Sequence, residues 1–87
     1  VRSIKYTRHA LAKFDVLKRY GFEITPSQVE GTLSIPDIAL EEGGGVGRLI
    51  AQKRLTERHV LRVVYRREGD TLVVITFYPG RRDRYEA

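Results

Sequence analysis

The residues best suited to chemistry crowd the second half of the chain. Arg48, Lys53, Arg54, Arg58, Arg62, Arg66, Arg67, Arg81, Arg82 and Arg84 fall mostly on strand-like segments and close in the run Arg81-Arg82-Asp83-Arg84-Tyr85. Arginine presents a planar fork that meets phosphate oxygens two at a time, whereas lysine acts as a point charge. The pattern suits a polyanion such as RNA or DNA; the competing explanation is a solvated, alternating strand face. The terminal run divides the same way. It is either a frayed, charged end or a basic arm whose Tyr85 stacks on a base or donates a proton. His9 falls in the first turn of a helix, where a neutral imidazole can act as a base, and there too simple packing or hydrogen bonding competes.

The other candidate motifs are incomplete. The run Glu42-Gly43-Gly44-Gly45-Val46-Gly47 lacks the Gly-Lys-Ser/Thr ending of a phosphate loop and the helix that should follow, so a flexible hairpin is expected. Glu41 and Glu42 lie together, but no third carboxylate stands at useful spacing. With no cysteine and two histidines, His9 and His59, disulfides, thiolate catalysis and a cysteine-ligated zinc are excluded. No metal and no cofactor are expected.

The net charge of +5 is unevenly spread. Arg2, Lys5, Arg8, Lys13, Lys18 and Arg19 face Asp15 alone in residues 1–20, while residues 21–42 carry Glu23, Glu30, Asp37, Glu41 and Glu42 with no base. One face for a polyanion and another for something else follow from that asymmetry. At 87 residues the chain makes one domain, 1–87, with one modest core. No apolar run approaches a membrane span, and the N-terminus enters an amphipathic pattern directly, so a cytoplasmic protein is expected.

The elements that must position these residues are legible as an α+β pattern. A short strand at about Ser3–Tyr6 precedes a helix capped by Thr7, with Ala10, Leu11, Phe14, Leu17 and Tyr20 on one face and Gly21 as its stop. Thr25-Pro26-Ser27-Gln28 opens a second helix with a cap, a first-turn proline and a capping-box Gln. Val29 and Leu33 give that helix its apolar face, and Pro36 ends it. Strands are expected over Asp37–Glu41, Arg48–Leu55, His59–Arg67 and Thr71–Tyr78, joined by short loops and therefore antiparallel. Leu61, Val63 and Tyr65 pair with Val73, Ile75 and Phe77 against the helices if the loop at Glu68-Gly69-Asp70 has odd length. Arg62, Arg66, Thr76 and Tyr78 then share the open face; a two-residue turn would reverse the partnership. Either Lys53 or Arg54 joins that face.

The order Tyr6-Thr7-Arg8-His9-Ala10, Arg19-Tyr20-Gly21-Phe22-Glu23-Ile24-Thr25, Val29, Pro36-Asp37, with the strands Leu61-Arg62-Val63-Val64 and Leu72 to Pro79, resembles an uncharacterised domain family in the RelE/ParE/BrnT toxin clan. The resemblance spans nearly the whole chain. It implies a RelE-like fold: a helical hairpin on one face of a twisted antiparallel sheet of four to five strands. It also implies a toxin-like component of a toxin–antitoxin pair, a metal-independent endoribonuclease acting on mRNA, often on the ribosome, with a small antitoxin as partner and a homodimer allowed. In such relatives sheet cations plus a C-terminal Arg and Tyr carry the chemistry, which maps onto Lys53 or Arg54, Arg62, Arg82 and Tyr85. His9, by its position in the first turn of its helix, is a further candidate base, and Arg66, Tyr78, Arg81 and Arg84 are the expected RNA-binding residues. The alternative is a non-catalytic nucleic-acid- or protein-binding module, including a ParE-type gyrase-directed binder.

Overall fold

The computed structural model describes residues 3–41 and 47–86. Strand β1 (Ser3–Tyr6) leads into helix α1 (Arg8–Arg19) and helix α2 (Pro26–Ser34). Then come β2 (Ile38–Glu41), β3 (Leu49–Arg54), β4 (His59–Glu68), β5 (Thr71–Arg81) and a short helix α3 (Arg82–Tyr85). The helix boundaries follow local chemistry. Thr7 accepts the Ala10 amide at the start of α1, and Lys18 and Arg19 occupy its last turn, where they complement the helix dipole. Gly21 adopts a φ of +89° just beyond, a conformation that suits glycine. At α2, Thr25 and Gln28 form the reciprocal capping box, with Pro26 in the first turn.

The strands form one sheet in the order β1-β5-β4-β3-β2. Neighbours from β2 to β5 are antiparallel, but β1 runs parallel to β5, so the sheet is mixed rather than wholly antiparallel. The helical hairpin of α1 and α2 carries the chain from β1 at one edge to β2 at the other, and β5 returns to pair with β1.

The turn between β4 and β5 also departs from expectation. Glu68 pairs with Thr71, leaving a two-residue turn, Gly69-Asp70, with Gly69 at φ +60°. Near the turn, Tyr65 therefore pairs with Val74 and Arg66 with Val73, which puts Val73 on the face away from the helices. A bulge then inserts Ile75: Val64 pairs with Thr76 and Val63 with Phe77. One extra residue reverses the alternation, so Leu72, Val74 and Phe77 face the helices although they are not spaced by twos. The bulge is anchored from α1, since the Thr7 amide donates to Val74 O at 3.0 Å and the Thr7 hydroxyl to Ile75 O at 3.0 Å.

Ala10, Leu17, Ile24, Val29, Leu61, Val63, Val74 and Phe77 form the main core, with Phe14 and Leu33 packed against it. Phe77 is fully buried and its ring meets Phe14 at 4.5 Å between centroids, a contact worth about 0.5–1.5 kcal/mol beyond burial. Leu11, expected in this core, is 58% exposed. Ala10, Phe14 and Leu17 repeat at i, i+4, i+7 and occupy the stripe, which leaves Leu11 on its flank. Tyr20 caps α1 rather than extending its apolar face and is exposed. Ile75, also expected in the core, is only half-buried at its bulge.

Candidate anion-binding site

Three strands align a polar row across the sheet face opposite the helices. In the registers of β3, β4 and β5, Gln52, Arg62 and Tyr78 are direct neighbours. The Arg62 Nε donates to Tyr78 Oη at 3.1 Å, and its Nη1 donates to Gln52 Oε1 in a short hydrogen bond. Helix α3 then folds back over the row. The Tyr85 ring stacks on the Arg62 guanidinium with 4.1 Å from Cζ to the ring centroid, and Gln52 Nε2 reaches Tyr85 O at 3.4 Å.

Gly80 makes that closure possible. It pairs with Val60, and a methyl group there would stand 2.6 Å from Tyr85 Cδ2 and closer still to Cε2. The missing side chain lets the ring lie against the strand. This sheet face is thus not the open, solvated surface that the strand pattern suggests: Ile50, Gln52, Val60, Arg62, Val64 and Val73 are all buried. Strand β5 continues through Pro79-Gly80 to Arg81 instead of ending at Tyr78, and carries the tail back over the Arg62 end of this face.

Arg62 is only 8% exposed and Gln52 1%. Every close partner of the guanidinium is neutral: an amide oxygen, a phenol and the Tyr78 and Tyr85 rings. Among the described residues it has no ion pair with a carboxylate. An arginine does not escape burial by neutralising, and burying a charge without an opposite charge is costly. The site therefore holds a cation whose electrostatic demand is unmet.

Beside it, Glu86 gathers two more arginines. Its Oε1 accepts from Arg82 Nε at 2.6 Å and from Arg54 Nη2 at 3.5 Å. The Arg82 hydrogen bond, reinforced by the charges of Arg82 and Arg54, holds the Glu86 carboxyl below its ordinary value. Arg82 is fixed independently, for its Nη1 donates to Glu57 O at 2.7 Å and its amide to Arg58 O at 2.9 Å. A cleft of about 790 Å³ opens here, lined by Glu57, Arg58, His59, Arg81, Arg82, Asp83 and Glu86.

Of the residues singled out in the sequence, Arg54, Arg62, Tyr78, Arg82 and Tyr85 come together at this end of the sheet, on or beside the covered face. Lys53 does not join them: it pairs with the core residue Leu61 and so lies on the helix side, which resolves the choice between Lys53 and Arg54. His9 is not among them: its Nε2 lies 3.2 Å from Thr76 Oγ1. Arg66 is engaged by Glu68 at 2.6 Å and Arg81 by Asp83 at 3.4 Å, both at the surface. Arg84 is exposed, with Cζ 5.8 Å from the Tyr85 ring. Glu41 is the exposed end of β2; Glu42 and the glycines up to Val46 lie outside the described residues.

Sequence reading missed Gln52, Gly80 and Glu86. Gln52 left a signal, being the lone polar residue of Leu49-Ile50-Ala51-Gln52 before the basic end of β3. Gly80 lies beyond the strand expected to end at Tyr78, and the role of Glu86 depends on a helix too short to show a period. No protein family, curated protein or solved structure matches the chain.

Proposed function

We propose that the chain is the toxin-like half of a toxin–antitoxin pair with a RelE-like fold, and that it acts on RNA through the face carrying Arg62. The observation that carries this is the buried, uncompensated Arg62 guanidinium, since a phosphodiester is the anion that an Arg-rich, aromatic-lined surface suits best. The helical hairpin lying on one face of the sheet supports the fold assignment. In this account Arg62 binds a backbone phosphate, Arg54 and Arg82 bind a neighbouring one, and Tyr78 and Tyr85 offer stacking rings.

The proposed reaction is metal-independent cleavage. The ribose 2′-oxygen attacks the adjacent phosphorus, the bond to the 5′-oxygen breaks, and a 2′,3′-cyclic phosphate and a 5′-hydroxyl result. Arg54 would assist transfer of the 2′-hydroxyl proton to solvent and Tyr85 would protonate the leaving oxygen, while Arg62 and Arg82 stabilise charge growing on the phosphate. Exposed Ile38 and Leu40 on the edge strand offer an apolar strip to the small antitoxin.

One observation favours a second reading, a non-catalytic binding module. His9 is tied to Thr76 and Lys53 lies on the helix side, so the cations meet without a base beside them. Expression in a growing culture, with message cleavage scored on free and ribosome-bound mRNA in EDTA, separates the two. Cleavage that Arg62→Ala or Arg82→Ala slows by roughly 10²–10³-fold supports the enzyme. Binding with no cleavage and no growth arrest leaves the module.

A further inference from the structure

We propose that Glu86 is a built-in competitor of the nucleic-acid backbone: its carboxylate occupies the arginine clamp of Arg54 and Arg82 in the ligand-free protein, and a phosphodiester must displace it. This rests on the RNA-directed reading above and adds how access to that site is controlled.

Arg82 does not need Glu86 to hold its place. Its guanidinium donates to Glu57 O and its amide to Arg58 O, while the Arg54 backbone beside it is fixed in strand β3 and by Asp37 Oδ2, which accepts the Arg54 amide at 2.8 Å. The Arg82 guanidinium therefore keeps its place when the carboxylate leaves, with Arg54 anchored within reach. Glu86, by contrast, follows the four-residue α3 and is held through its backbone by a bond from its amide to Arg82 O. A single oxygen, Oε1, takes both arginines, as a non-bridging phosphate oxygen would. A carboxylate and a phosphodiester each carry one negative charge, so exchange of one for the other leaves the clamp neutralised to the same degree.

The cleft beside the clamp supplies an approach. Arg58 lines it, and among the described residues its guanidinium has no partner. An incoming strand meets that free cation first. Withdrawal of Glu86 also loosens α3, whose Tyr85 covers Arg62, so occupation of the clamp and uncovering of the buried cation are linked through a few residues of chain.

The test is fluorescence anisotropy of a labelled single-stranded oligouridylate with the whole chain at low salt. Glu86→Gln removes the competing charge and keeps the shape. Glu57→Gln makes the same change of net charge on another side chain lining the cleft, leaving the Glu57 carbonyl in place. Glu86→Gln is expected to tighten binding about three- to tenfold, well beyond Glu57→Gln, and the gain should vanish when Arg54→Gln is added. Equal gains for the two variants, or a gain that survives Arg54→Gln, overturn the competitor role while leaving RNA binding intact. Failure of the wild-type chain and every variant to bind overturns the RNA reading and the competitor with it.

Discussion

Replacing Arg62 and Gln52 together should cost far less stability than replacing each alone. The Arg62→Met variant leaves Gln52 Oε1 and Tyr78 Oη without their donor. An orphaned buried acceptor costs about 1–3 kcal/mol, and relief of the buried charge offsets part of it, so a net loss of about 1 kcal/mol is expected. Gln52→Met is worse. It keeps the cation at 8% exposure and removes its hydrogen-bonding amide, a loss of about 1.5–3 kcal/mol for a bond to a charged group. In the double variant the charge and its buried amide acceptor go together, and replacing both partners by apolar groups of similar shape is nearly neutral. Urea unfolding of the four proteins reads the cycle, with an unchanged slope confirming that the same surface is exposed. Each 1 kcal/mol should move the thermal midpoint by roughly 4–8 °C in a domain this small. If the double variant loses the sum of the single losses to within about 0.5 kcal/mol, the groups are independent and the buried-cation argument fails.

Two further outcomes follow from the tail and from the N-terminal strand. Gly80→Ala puts a methyl group 2.6 Å from Tyr85 Cδ2, inside the roughly 3.5–4.0 Å that carbon atoms prefer, so α3 should lift. Loss of about 1–2 kcal/mol of stacking on Arg62 raises trypsin cleavage after Arg81, Arg82 and Arg84 roughly 5–30-fold; an unchanged rate contradicts the packing described. The Tyr6 hydroxyl donates to Glu30 at 3.1 Å, and burial, then the Glu30 charge and hydrogen bond, push its pKa up to about 12 from 10.0. The raised value means that this stabilisation is complete below pH 10.0 and is lost as the pH climbs toward about 12. Tyrosinate absorbance should show a late-titrating group that Tyr6→Phe abolishes; persistence of the late step assigns it elsewhere.

Much of the fold was legible because its signals are local. The Thr7 cap, the Thr25–Gln28 capping box and the Gly21 stop act within a few residues, and all appear where the sequence places them. The face of β5 was not, because strand alternation carries no mark of a bulge. Val73, Ile75 and Phe77 look like one apolar set, yet Ile75 is the inserted residue and Val73 turns away from the helices. Two errors nearly cancelled: the two-residue turn reverses the faces and the bulge restores them, so Arg62, Thr76 and Tyr78 share a face as expected. At the site, residue type revealed the arginines, but not that Arg62 would be buried. That depends on Gln52 opposite it, a glycine that admits a ring, and a tail that folds back, each a contact between distant positions. The β1 pairing was missed in direction for a similar reason, since four residues do not say which neighbour they join.

The central claim is that Arg62 is a phosphate-seeking cation held ready beneath the tail. The most direct measurement is the salt dependence of single-stranded RNA binding for the wild-type chain and for Arg62→Gln, by anisotropy between about 50 and 200 mM salt. Wild-type affinity should fall steeply, and Arg62→Gln should bind more weakly with a log–log slope shallower by about 0.7, the value for one lost contact to a single strand. Equal affinities and equal slopes in the two proteins would contradict the claim and leave Arg62 a structural residue.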